Sequence, residues 1–184
     1  MAIFLAFIVC FVIQCFYMEG NKNNRPRALM IFGAPCSGKT TFSRKFAKKF
    51  GLAYYDINEI MSTRGLSKAD ALYVIELVMR TKQTILVEGG IDTEKERTEM
   101  RNMIRKNGYE PALLWIQTDV STIRSRLKMR FRSVAKAKQY FDESTSTMEA
   151  PADFEKPIIL SGKHTFDTQT RHAITGLADL TEAK

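Results

Sequence analysis

The sequence predicts an α/β fold built on a parallel sheet. Along most of its 184 residues, short apolar runs of strand length alternate with longer amphipathic runs. The first apolar strand leads straight into a glycine-rich loop and then a helix-patterned segment. The length suits one domain with a sizeable core. With 45% hydrophobic and 26% charged residues, the composition excludes a disordered tail, and the length excludes a multidomain machine.

Each element has its own signal. ALMIF (28–32) is a buried strand. A helix follows over 38–50, with Phe42, Phe46 and Phe50 on one face and Arg44, Lys45, Lys48 and Lys49 around the other, and Gly51 ends it. LAYYD (52–56) is a second strand. Ser67 and Asp70 make a capping-box start to a helix running to about residue 80. TILVE (84–88) is the clearest central strand, and 92–108 is a charged helix ending in glycine. ALLWIQ (112–117) precedes a basic helix that starts near Val120. PIIL (157–160) is the last strand and 166–180 the last helix, whereas 133–156 is the least regular stretch.

Residues 1–18 carry no charge, with Gln14 the one strongly polar side chain. As a helix they would span about 27 Å, close to the ~30 Å of a bilayer core. Lys22, Arg25 and Arg27 follow, which on the positive-inside rule keeps the rest of the chain in the cytoplasm. Three readings stay open: a membrane anchor, an extension from a start codon placed too far upstream, or a buried or partner-binding helix. A polar leader covers 19–26 and the folded domain 27–181. Cys10, Cys15 and Cys36 form neither a disulfide framework nor a zinc pattern, so a reducing cytoplasm is the expected compartment, with attachment to the membrane's cytoplasmic face if 1–18 is an anchor.

Directly after the first strand stands Gly33-Ala34-Pro35-Cys36-Ser37-Gly38-Lys39-Thr40, a full G-x-x-x-x-G-K-[ST] match followed by Thr41. Glycines let successive backbone N–H groups turn inward around phosphate oxygens, and the helix start adds partial positive charge. Lys39 is placed to reach the β- and γ-phosphates, and Thr40 to ligand Mg²⁺. Cys36 reads either as a redox-sensitive thiol or, more simply, as a small filler of a variable position. A GTPase would carry an N/T-K-x-D motif late in the chain. Ser67-Lys68-Ala69-Asp70 comes before the third strand and reads as a helix cap. A hexameric motor needs a separate helical lid domain, for which too few residues remain.

With GAPCSGKT, the strand-ending VEGG, the basic R-x-x-x-R helix and the closing PIILSGKHTFDTQ, the chain resembles small phosphate-loop kinases of the adenylate-kinase-like branch. It is similar to those often labelled "AAA family ATPase" or grouped with polynucleotide and zeta-toxin-type kinases. The resemblance spans 27–181 and implies a three-layer α/β/α fold with a five-stranded parallel sheet in order 2-3-1-4-5 and a short basic lid. It implies that Asp56 orients or deprotonates an acceptor hydroxyl or holds a Mg²⁺ water; the plainer reading is an N-cap for a helix starting at Ile57. Glu88 stands where such kinases usually carry an aspartate that binds Mg²⁺ through water; the alternative is a turn residue beside Gly89 and Gly90.

Arg126 and Arg130 match the lid arginines within seven cations that run from Arg124 to Lys138 without a carboxylate. Arg64 is either an acceptor clasp or a surface arginine, and the loop 161–165 is expected beside the adenine. The expected activity is transfer of the ATP γ-phosphate to a hydroxyl or phosphate of an unidentified acceptor. Lys39, Asp56, Arg126 and Arg130 are the catalytic candidates, with ATP and Mg²⁺ as cofactors. A small-molecule acceptor is favoured over a nucleic-acid end, and a regulatory nucleotide-binding module with slow hydrolysis is the other alternative. The chain is expected to be a monomer or dimer.

Overall fold

The computed structural model describes residues 25–182. The apolar run 1–18 lies outside them, and among the described residues no helix is long and apolar enough to cross a membrane. In chain order the elements are β1 (Arg27–Phe32), α1 (Lys39–Phe50), β2 (Ala53–Asp56), α2 (Ile57–Arg64), α3 (Lys68–Met79), β3 (Ile85–Glu88), α4 (Glu94–Lys106), β4 (Glu110–Gln117), α5 (Val120–Phe131), α6 (Val134–Thr145), a short 3₁₀ turn (Asp153–Glu155), β5 (Ile158–Ser161) and α7 (Phe166–Glu182). The five strands form one parallel sheet in the order β2-β3-β1-β4-β5.

β1 sits at the centre, and the side-chain alternation of a strand divides its residues between two cores. Ala28, Met30 and Phe32 face one side, where Ile57 of α2, Ile75 and Met79 of α3, and Met100 and Ile104 of α4 close over them. Leu29 and Ile31 face the other, against Phe42 and Phe46 of α1 and Ala173 and Leu177 of α7. Helices on both faces of a parallel sheet give the three-layer α/β/α arrangement.

The stretch 133–156, expected to be irregular, is largely helical. Arg132 takes a left-handed backbone (φ 50°) and ends α5, and Ser133 then caps α6. The two helices pack as a hairpin through Ile123, Leu127 and Ala137, with Phe131, Tyr140 and Phe141 beside them. This small cluster also touches Ala34 and Cys36, so the hairpin rests on the glycine-rich loop. α2 is a further helix, which starts directly at the end of β2.

Candidate active site

Loops gather at the carboxyl ends of the strands, where ligands bind in open α/β sheets. The β1–α1 loop holds left-handed or otherwise glycine-favouring backbone at Gly33 (φ 147°), Cys36 (φ 57°) and Gly38 (φ 109°). Six helices start on side-chain caps, namely Asp56, Ser67, Thr93, Asp119, Ser133 and Thr165. α1 differs: it starts on Gly38 with no side-chain cap and no acidic residue in its first turn. Its first N–H groups are left for an anion, and the loop geometry fits a phosphate. Ala34, Pro35 and Cys36 are half-buried on the loop, Ser37 is fully buried, and Thr41 is exposed on the first turn of α1.

Lys39 Nζ donates to the carbonyls of Gly33 (2.6 Å) and Ala34 (3.0 Å), folded along the loop. Burial pushes the Lys39 ammonium below its ordinary value, while Glu88, Asp92 and Asp56 pull it back. Glu88 ends β3 almost fully buried, at 4% exposure. Its Oε1 accepts from Thr40 Oγ1 (2.7 Å) and its Oε2 from the Tyr54 hydroxyl (2.9 Å). Burial, then the charge and hydrogen bond of Glu88, push the Tyr54 phenol well above its usual range. A carboxylate beside a threonine hydroxyl is a hard-oxygen pair suited to Mg²⁺. Among the described residues no group of three His, Cys, Asp or Glu could hold a metal alone.

Asp56 pairs in register with Glu88 across β2 and β3. Its Oδ1 caps α2, accepting from the N–H groups of Asn58 (2.9 Å) and Glu59 (3.2 Å), so the residue does act as an N-cap. Its Oδ2 has no hydrogen-bond partner among the described residues. Beside it, Arg44, Tyr54, Tyr55, Asp56, Glu59 and Ile60 line a cleft of about 440 Å³. Arg44 is paired with Glu59 there at 3.2 Å. Arg64 ends α2.

The two arginines of the R-x-x-x-R helix go to different places. Arg126 is half-buried and donates to the carbonyls of Cys36 (3.0 Å), Ser37 (3.1 Å) and Gly162 (2.9 Å). It ties the glycine-rich loop to the loop after β5. Arg130 is exposed, its guanidinium 5.7 Å from the Phe131 ring centre and 5.9 Å from that of Tyr140. Thr118 Oγ1 also donates to the Ser37 carbonyl (2.9 Å). A Cβ at Gly162 would lie 1.9 Å from Thr118 Oγ1 and 2.3 Å from the Ser37 carbonyl oxygen, so only glycine allows this approach. Lys163 pairs with Asp119, the cap of α5, at 2.6 Å.

Sequence reasoning passed over Tyr54 and Asp92. Tyr54 stands two residues before Asp56 on a strand, a period-2 signal that the two share a face. Asp92 follows the Gly89-Gly90 turn. Partial burial and Glu96 push its carboxyl up, while Lys39, Lys68 and Arg97 pull it down. Its loop is held by Arg97, fully buried, which donates to the carbonyls of Asp92 (3.2 Å) and Glu149 (2.9 Å) and pairs with buried Glu155 at 2.8 Å. Arg101 adds a second ion pair to Glu155 at 2.7 Å.

Comparison with known proteins agrees with this arrangement. A family model described as an AAA domain matches residues 29–152. The fold is similar to a gluconokinase from Sinorhizobium meliloti 1021, with a TM-score of 0.66 at 18% identity over 86% of this chain and 95% of that one. It is also similar to Mycobacterium tuberculosis APS kinase CysC, solved with AMPPNP and APS (TM-score 0.62, 16% identity, 84% and 98% covered). Chaetomium thermophilum Kti12 in complex with ADP-AlF3 gives a TM-score of 0.63 at 14% identity, with 83% and 97% covered. No curated protein sequence matches the chain. On its sequence match over 29–152, and with the fold of small phosphate-loop kinases, the chain belongs to the AAA domain family.

Proposed function

We propose that the chain is an ATP-dependent phosphotransferase that moves the γ-phosphate to a hydroxyl or phosphate of a small acceptor. The observation that carries this is the convergence of Lys39, Thr40 and Glu88 on an uncapped helix start at the glycine-rich loop. Gly33 to Thr41 hold the phosphates of ATP, and Lys39 leaves the loop carbonyls to neutralise charge on the β- and γ-phosphates. Thr40 and, through water, Glu88 would hold Mg²⁺, which when bound would supply neutralisation of phosphate charge. Asp56 is held by its α2 cap while its second oxygen stays available to orient an acceptor hydroxyl. In the transfer the bond from the γ-phosphorus to the β–γ bridging oxygen breaks and one to the acceptor oxygen forms; a hydroxyl acceptor's proton passes to Asp56 or water.

One observation favours a second reading, a nucleotide-binding regulatory module with slow hydrolysis. Arg126 is engaged with backbone carbonyls of the loops, and Arg130 lies against Phe131 and Tyr140, so both guanidinium groups already have protein partners. Incubation of the full chain with Mg·ATP and a panel of sugars, polyols, nucleosides, nucleotides and oligonucleotide ends separates the readings. Phosphate transfer to one acceptor class, abolished in Lys39→Ala, is the expected result. ATP binding without transfer to any acceptor supports the module, and absence of ATP binding removes both.

A further inference from the structure

We infer that Tyr54 is a positioning residue for the metal-directed carboxylate, and that this chain uses a glutamate at position 88 because a tyrosine on the neighbouring strand anchors it. The inference rests on the proposed Mg·ATP site. Glu88 has one more rotatable bond than an aspartate, and a longer carboxylate at a strand end sweeps a larger volume unless its far oxygen is fixed. The structure fixes both oxygens separately: Tyr54 donates to Oε2 at 2.9 Å, and Oε1 faces Thr40 at 2.7 Å. Glu88 is 4% exposed, so water does little of this work. Tyr54 and Glu88 lie on adjacent strands whose register pairs Tyr54 with Leu86 and Asp56 with Glu88, so the phenol spans diagonally to reach the carboxylate. The same tyrosine lines the cleft beside Asp56. It therefore joins the wall of that cleft to the side chain directed at the metal.

The test is binding of ADP to the full chain, titrated with and without Mg²⁺, in wild type, Tyr54→Phe, Glu88→Asp and the double variant. Loss of a hydrogen bond to a charged group predicts that Tyr54→Phe raises the Mg²⁺ concentration for half-maximal tightening of ADP roughly tenfold. Metal-free ADP affinity should stay unchanged. In the Glu88→Asp background, where the shorter carboxylate cannot meet both Thr40 and Tyr54, Tyr54→Phe should change the Mg²⁺ response by less than about twofold. An unaltered Mg²⁺ response in Tyr54→Phe, or an equal loss in both backgrounds, overturns the assignment while leaving the Mg·ATP site in place. If Mg²⁺ does not tighten ADP in the wild type, the assignment falls, while the parent reading is judged separately by ATP binding and phosphate transfer.

Discussion

Arg126 shows how much a single side chain can organise. Its planar fork reaches three carbonyls on two loops that are distant in sequence, Cys36 and Ser37 on one side and Gly162 on the other. An ammonium cannot reproduce that fan of donors from one point. Arg126→Ala and Arg126→Lys should therefore both weaken ATP binding, by roughly tenfold for the alanine, and a nucleotide titration by fluorescence or calorimetry checks this. Glu155 is organised in the opposite sense, as a carboxylate between two arginines. Burial alone would push its carboxyl up, but the hydrogen bonds from Arg97 and the Ala152 N–H and the charges of Arg101 and Arg97 outweigh it and leave the value lowered. A lowered carboxyl stabilises the fold above its unfolded value, about 4.3, and that contribution is lost as pH falls through the lower folded value. Melting curves between pH 7 and 3 should thus show a steep acid loss in wild type and a shallower one in Glu155→Gln. At neutral pH that variant should be less stable by roughly 3–5 kcal/mol, because Arg97 is left buried without its counter-charge.

At the scale of elements, the helix starts divide into two kinds, six held by side chains and α1 left open. Ser67 shows what the first kind contributes: its hydroxyl and the Asp70 carboxylate cap each other's backbone N–H groups. Ser67→Ala should destabilise the protein by about 1 kcal/mol, read as a lower urea midpoint at unchanged slope. Ser67-Asp70, the five strands and the glycine-rich loop were all legible in the sequence, because each is written in local spacing. The loop's eight residues alone define its turn and its helix start. α6 was not legible, since its apolar residues Ala137, Tyr140 and Phe141 pack only on α5 and the loop and leave most of its surface polar. Arg126 and Arg130 sit at a helical spacing that suggests one shared task. Their different partners come from tertiary neighbours, Gly162 and Tyr140, that no spacing reveals. Tyr54 and Asp92 were missed for a related reason. Their importance comes from Glu88 and Lys39 on other elements.

Over the whole molecule, the two cores share one sheet and the ligand loops share its carboxyl edge. The glycine-rich loop lies early in the chain, yet the groups that hold it come late: Thr118 is 81 residues beyond Ser37, and Arg126 is 90 beyond Cys36. Gly162, which closes over the same carbonyl, is later still. β1 itself waits for β3 and β4 on either side. During synthesis on the ribosome the glycine-rich loop therefore emerges early and is completed late. A nascent chain stalled before residue 162 would carry every residue of the motif together with Thr118 and Arg126, and would lack only the Gly162 carbonyl that Arg126 also holds. The full set of contacts around the glycine-rich loop is therefore completed only when nearly the entire polypeptide has been made.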